Sequence, residues 1–299
     1  MRKHAIKCTA AIVLAAIVLY GAAAPYPVDD AAAASLQSST GTPVLEEAQQ
    51  YVDELSKQSP FDAWKGAKLD ISPLGPGTHS WLVIVKQSDV SVGYLVIQAK
   101  EDGGYKLGEY GFGSRPIFSP QSLSFSVKQL GQTRSKKVVE PLYSHPLLTA
   151  WKITVGGESA IADAASGELL PVSPANWLKA AAARPVADQQ AGANPQANVR
   201  QSVQLSSFSP YGTMPWLTEQ PFLRDTDSTA KLLTSIGKKE QLRYTAELFS
   251  GQMLYVWSVV GFAKWDGSQV YVALEDQEDG EIRRYIPLSL LKELGHFYR

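Results

Sequence analysis

The chain has 299 residues, is 44% hydrophobic and 10% aromatic, and sets 28 Lys and Arg against 29 Asp and Glu for a formal net charge of -1. This balance excludes a protein that holds nucleic acid by bulk charge, which needs a basic surface to displace counterions from phosphate. The apolar content excludes wholesale disorder.

Arg2, Lys3 and Lys7 precede an uncharged, mostly apolar run over residues 8–24, and Ala31 to Ala34 offer small residues at the -3 and -1 positions of a signal peptidase site. Residues 1–34 therefore read as an export signal. The run falls short of the roughly 20 apolar residues that span a bilayer, which favours cleavage after Ala34 over a retained anchor, the only membrane contact expected. The lone cysteine, Cys8, is then a small hydrophobe of the leader, and the mature chain has no thiol nucleophile, disulfide or thiolate metal site. Cleavage removes three of the 28 basic and two of the 29 acidic residues, leaving a nearly neutral exported part.

A first domain is expected over 35–179. Thr42, Pro43, Glu46 and Glu47 form a helix start, and Val44, Leu45, Ala48, Tyr51, Val52 and Leu55 recur at helical spacing, predicting a helix over 43–57. Short β-type runs follow at 68–72, 81–86, 92–99 and 105–110, joined by connections too short for parallel crossovers. The order then repeats, with a helix over 121–130 and strands at 138–143, 148–155, 159–163 and 168–172. This gives one or two helix-on-antiparallel-sheet units, 43–113 and 119–175, in an α+β class. Residues 180–207 are rich in Ala, Gln, Asn, Ser and Pro and contain no aromatic. They read as a flexible linker that would span about 25 to 30 Å.

The last part, 208–299, opens on Phe208, Pro210, Tyr211, Pro215, Trp216, Pro221 and Phe222. Proline holds extended backbone and aromatic faces supply contact area, so Tyr211, Trp216 and Phe222 are the candidate partner-binding residues, set against the favoured reading of a strip that wraps the small domain and covers a sheet edge. A helix over 228–236, strands at 242–249, 253–262, 269–274 and 282–286, and a closing helical turn at 287–295 make a small, mostly β domain, similar in order to an SH3-like barrel.

The segment from Trp151 to Glu168, with the Gly156-Gly157 turn and Asp163-Ala-Ala-Ser-Gly167, resembles the repeat of PepSY-type domains. The stretch from Val92 to Ala99, followed by Leu107 to Tyr110, is similar to the cystatin-like propeptides of bacterial cysteine proteases. The resemblance implies an exported or envelope-facing module that binds or restrains a protease, or simply binds protein. No peptidase domain follows, which leaves action in trans or plain adhesion.

Catalytic and metal motifs are rejected in turn. Gly157-Glu-Ser159-Ala-Ile161 lacks the second glycine of a nucleophile elbow, and His79-Ser80 has no third member. His79, His145 and His296 are solitary, without zinc spacing. The acidic run from Glu275 to Glu281 fails as a calcium loop because Ile286 stands where a bidentate glutamate is needed. Gly108, Gly111 and Gly113 come in the wrong order for dinucleotide binding. Arg134, Lys136 and Lys137 read as a solvated loop, with anionic wall polymer or lipid headgroups as the functional option.

The sequence thus points to an exported, non-catalytic, cofactor-free protein at the cell envelope or outside the cell. Its partner would be a protein such as a secreted protease, or cell-wall material. The alternatives are an envelope hydrolase with an unrecognised site and a structural wall or spore-coat component.

Overall fold

The structure, a computed structural model, describes residues 30–77, 79–131, 135–183, 185–190, 192–223, 229–276 and 282–299. The elements run in order as α1 (Asp30–Leu55), β1 (Lys68–Leu74), β2 (Ser80–Gln87), β3 (Val90–Ala99), β4 (Tyr105–Gly113), α2 (Pro120–Gln129), β5 (Lys137–His145), β6 (Leu148–Val155) and β7 (Glu158–Asp163). Next come α3 (Pro174–Ala182), α4 (Val186–Gln190), β8 (Val199–Gln204), α5 (Thr229–Gly237), β9 (Leu242–Leu248), β10 (Met253–Trp265), β11 (Val270–Glu275), β12 (Ile282–Pro287), α6 (Leu288–Leu294) and β13 (Gly295–Tyr298). The expected leader lies, up to residue 29, outside the described residues. No described helix is long and apolar enough to cross a membrane.

Local signals account for most of these elements. Ser119 caps α2, its side chain accepting from the Ser122 amide at 3.1 Å, with Pro120 at the first helical position, and Ser173 with Pro174 does the same for α3. In α1, Val44, Ala48, Tyr51, Val52 and Leu55 fall on one buried stripe, as their spacing requires. The helix starts earlier than Thr42 and carries Pro43 inside it. Residues 168–172 form no strand; Leu169 makes only an isolated bridge to Ala162.

The expected architecture of separate units is overturned by the sheet. One antiparallel sheet runs β1-β2-β3-β4-β12-β11-β10-β9-β13, with β8 also paired to β10. Its central join pairs Tyr110 with Tyr285, Gly111 with Arg284, Phe112 with Arg283 and Gly113 with Ile282. Strands from the two ends of the chain therefore share one hydrogen-bonded ladder, and from Thr40 onward the chain forms one compact unit. This excludes a discrete PepSY-like or cystatin-like unit over 43–175 and an SH3-like barrel at the end. The reason is edge chemistry: a meander ending at β4 and a β-domain ending at β12 would each expose a long row of unpaired backbone groups, and pairing them removes both edges.

The linker reading of residues 180–207 fails with it. The stretch contains α4 and β8, and β8 pairs Val203 with Phe262 and Ser202 with Ala263. Ala193 is buried: its amide donates to the Tyr271 hydroxyl at 2.9 Å, and its carbonyl accepts from Tyr51 at 2.7 Å and from the Leu107 amide at 3.1 Å. Small residues suit this role because their backbone is reached by hydroxyls from α1 and β11. Composition reports side chains and is blind to such backbone anchoring.

The start of β8 is held by Asp266, whose Oδ2 accepts from the Asn198 amide at 3.0 Å and from its side chain at 3.2 Å, while Arg200 binds both carboxylate oxygens. Hydrogen bonding from Arg200, then from Asn198, lowers the Asp266 carboxyl from 3.8 to about 2. A depressed folded value means stabilisation that is present above about pH 4 and lost as the pH falls through about 2. Carboxyl NMR should give an Asp266 midpoint near 2, with protection of the Asn198 amide lost below it. A midpoint near 4 would show that this anchor is absent in solution.

On one face of the main sheet, Val83, Val85, Leu95, Ile97, Tyr110, Tyr271, Tyr285 and Trp265 pack against α1 and the 61–64 turn. Strand alternation sends Leu82, Tyr94 and Val96 to the other face, against α2 and the small antiparallel sheet β5-β6-β7. Further along that face, α5 and α6 cover Val259, Val272, Leu274 and Ile286. Trp177 of α3 packs on the outer side of the small sheet against Leu142, Leu148 and Ile161. Gly75, just after β1, bridges the small sheet through the Pro141 carbonyl at 3.0 Å and the Tyr143 amide at 2.8 Å.

Candidate functional site

A buried polar cluster stands where the small sheet meets the main one. Strand β4 carries Glu109 and its neighbour β12 carries Arg284; the guanidinium donates to both carboxylate oxygens at 2.8 to 3.1 Å and to the Pro146 carbonyl at 2.6 Å. Tyr94 of β3 donates to the same carboxylate at 3.0 Å. Burial raises the Glu109 carboxyl above its ordinary range, opposed by Arg284 and by the Tyr94 and Tyr143 hydroxyls. Burial, the largest single influence on Arg284, would lower it, but Glu109 together with Tyr94 and Asp163 outweighs burial and holds the guanidinium protonated. The carboxylate is thus occupied by donors, and the cluster's work is to fasten the β5–β6 turn to the sheet.

Two concavities flank this cluster. The larger, about 1150 Å³, is lined by His79, Ser80, Lys106, Tyr143, Trp177 and Asp188 among others. His79 is exposed and Ser80 buried, and among the described residues no hydrogen bond joins them. The Lys106 ammonium donates to the Asp188 carbonyl, and the Trp177 indole nitrogen has no acceptor among the described residues.

The smaller groove, about 320 Å³, opens between the β6–β7 side of the small sheet and strand β10. Tyr211, Tyr255, Trp257 and Met253 line it together with Asp163, Glu168, Asp276 and Arg284. Asp163 is held by the turn it starts, Oδ1 accepting from the Ala165 and Ser166 amides at 2.9 and 2.8 Å, and Oδ2 accepts from the Tyr255 hydroxyl at 3.3 Å. Trp257 is stacked on Tyr255 at 5.1 Å and on Tyr244 at 5.9 Å. Burial raises the Tyr211 hydroxyl, with Asp276 and Glu168 adding to the effect.

The aromatic and proline segment forms a strap across β9 and β10. It is pinned by the Ser258 hydroxyl on the Phe208 carbonyl at 2.5 Å, and by Arg243, which donates to the Pro210 carbonyl at 2.9 Å and lies over the Phe208 ring. Between these pins and Pro215, which is buried, Tyr211 and Met214 stay 57% and 51% exposed, and Leu217 just beyond is 66% exposed. Trp216 meets Tyr211 edge-on at 6.2 Å. The structure therefore brings Tyr211 and Trp216 together but not Phe222. The Phe222 amide donates to the Phe297 carbonyl at 2.6 Å, and its ring takes the Lys231 and Arg299 cations at 4.9 and 4.3 Å, making it an anchor for β13.

The other motif residues have local roles. The Ser159 and Thr154 hydroxyls bond at 2.7 Å across the β6–β7 hairpin, and His145 accepts from the Leu147 amide in the β5–β6 turn. Gly111 is required by packing, since a Cβ there would lie 2.6 Å from the Tyr94 ring and 2.7 Å from the Arg283 carbonyl. Glu275 is buried on Arg283 at 2.6 Å, while residues 277–281 of the acidic run and Arg134 lie outside the described residues. No group of three or more metal-ligating side chains gathers among the described residues. Glu109, Arg284, Tyr255 and Trp257 escaped the sequence reading. The available signal was a Glu and an Arg at core-facing positions of β4 and β12. Comparison with models of known protein families gives no match, and a search among curated proteins likewise gives none.

Proposed function

We propose that this chain is an exported, non-catalytic protein-binding module that takes its partner on the strap and the adjoining groove. One observation carries the reading: Tyr211, Met214 and Leu217 are held more than half exposed on a pinned strap, beside Leu254, which is 45% exposed and lines the same groove as Tyr211. Scattered surface hydrophobics are ordinary, whereas a rigid strip of them beside a groove matches the aromatic anchors of protein interfaces. The groove's ionisable groups favour holding over reacting, since Arg284 is engaged by Glu109 and Asp163 by its own turn. Protease restraint rested on the resemblance that the continuous sheet overturns, and is not carried forward.

A photo-crosslinking residue placed at Leu217 should capture a discrete protein from the envelope or secreted fraction of the producing cells. One placed at Val90, exposed in β3, should not. Leu217→Glu and Tyr211→Ala should each weaken capture by about tenfold or more, the usual cost of losing a central anchor. Equal capture from both positions, or none from Leu217, refutes the reading.

A further inference from the structure

We propose that the larger cavity, about 1150 Å³, binds a neutral, hydroxyl-rich ligand of the class of a short saccharide. This site goes beyond the strap and does not depend on it. Its floor is one row of the main sheet: Ser80 of β2 pairs with Gln98 of β3, which pairs with Lys106 of β4, so the three side chains stand on one face. The next row inward on that face holds the paired Leu82 and Val96, which pack into the core beneath α2 and the small sheet. Ser80, Gln98 and Lys106 are just 3%, 5% and 7% exposed, and α3 and the end of β5 supply the other walls.

Two members of this buried row do nothing for the fold. Lys106 donates to the Asp188 carbonyl and so fastens α4. The Ser80 hydroxyl and the Gln98 carboxamide, in contrast, bond to none of the described residues. On the α3 wall the buried Trp177 indole N–H also has no acceptor among them. Buried polar side chains are as a rule paired within the protein, and here three without a protein partner line one cavity. Space is kept for the carboxamide by Gly108, the extra residue where the β3–β4 register shifts: a Cβ there would lie 3.0 Å from Gln98 Cδ and 3.1 Å from its Oε1.

The unpartnered groups are all neutral, and that sets the ligand. A hydroxyl both donates and accepts, so a polyol can serve the Ser80 hydroxyl, either end of the Gln98 carboxamide and the indole N–H together. An apolar ligand would leave these groups unpaired. An ion would give up its water for neutral partners, since Lys106 and Asp188 are already engaged. The volume exceeds the range of about 300 to 1,000 Å³ usual for small-molecule sites, which suits more than one sugar ring. Leu178, 48% exposed and in the same lining, offers apolar surface to the C–H face of a ring.

The test titrates the full chain with maltotriose, cellotriose and tri-N-acetylchitotriose, and with anionic trigalacturonate, by calorimetry. At least one neutral trisaccharide should bind saturably with a Kd below about 10 mM, and about fivefold or more tightly than trigalacturonate. The Trp177 indole N–H resonance should move on binding. Gln98→Leu and Ser80→Ala should each weaken binding about fivefold or more, the effect of removing one hydrogen-bonding partner from a buried polar contact. Gly108→Ala should weaken it in the same direction by displacing the carboxamide. Phe125→Ala, on the exposed side of α2, should leave it unchanged. Circular dichroism checks that the variants fold, and the parent chain decides the matter by itself if one does not. No saturation by any neutral probe up to about 10 mM overturns the proposal. So does trigalacturonate binding as tightly as the best neutral probe, a bound sugar that leaves the Trp177 resonance unmoved, or binding that survives intact in folded Gln98→Leu and Ser80→Ala.

Discussion

Arg284→Met should lower the unfolding free energy by about 3–5 kcal/mol, among the largest losses open to a single substitution in this chain. The substitution leaves Glu109 buried without its counter-ion and the Pro146 carbonyl without its donor. Urea unfolding at neutral pH followed by tryptophan fluorescence checks it, and a loss below about 1 kcal/mol would show that the pair is hydrated in solution. Glu109→Leu combined with Arg284→Met should recover much of the loss, because a buried pair replaced as a unit by apolar groups is close to neutral.

The pH dependence of the single variant has a definite sign. Burial already raises Glu109 above its ordinary 4.5, and removing Arg284 takes away the largest opposing influence. A group whose folded value is raised contributes stability that is full below its unfolded value and is lost as the pH rises through the folded value. The deficit of Arg284→Met should therefore shrink on acidification from neutral pH toward pH 5. A deficit that grew on acidification would mean that Glu109 is not the group left uncompensated.

Local pattern and tertiary pairing were legible to different degrees, for physical reasons. Alternation and turn residues placed β2, β3, β6 and β10 to within about three residues, because Trp81 to Lys86 or Met253 to Phe262 carries its own period and its own punctuation. The partner of β4 has no local signature, since the ladder from Tyr110 to Gly113 consists of backbone groups shared with strands more than 160 residues away. Strand β8 was missed because Val199, Ser202 and Gln204 look like linker, yet β10 supplies the backbone partners that order them. Of the candidate site, the strap was visible as a cluster of aromatic and proline residues. The groove was not, because Glu168, Tyr211, Tyr255 and Asp276 meet only when the small sheet folds over β10. Phe222 shows the limit of composition: an aromatic in the right strip can be an anchor rather than a contact.

Strand β10 contains the second residue on which the architecture turns. Along one side it pairs with β11; along the other it pairs with β9 up to Val259 and with β8 from Gly261 onward. The change of neighbour occurs at a register shift where Gly261 adopts φ +151, and a Cβ there would lie 2.2 Å from the Val203 carbonyl oxygen. Gly261→Ala combines a backbone conformation that costs about 1–3 kcal/mol for a side-chain-bearing residue with a collision against backbone that cannot rotate away. A loss of about 3 kcal/mol is expected, and it should be directional: β8 is the part that can yield. The Leu205 amide, bonded to the Val260 carbonyl at 2.9 Å in the parent, should lose its exchange protection, and protease should cut between residues 193 and 207 in the variant but not in the parent. Gly237→Ala, where no atom lies within 4 Å and the backbone is ordinary, serves as the control and should change stability by less than about 1 kcal/mol. Equal effects at the two glycines would mean that the close approach of β8 to β10 does not exist, and residues 180–207 would again read as a tether.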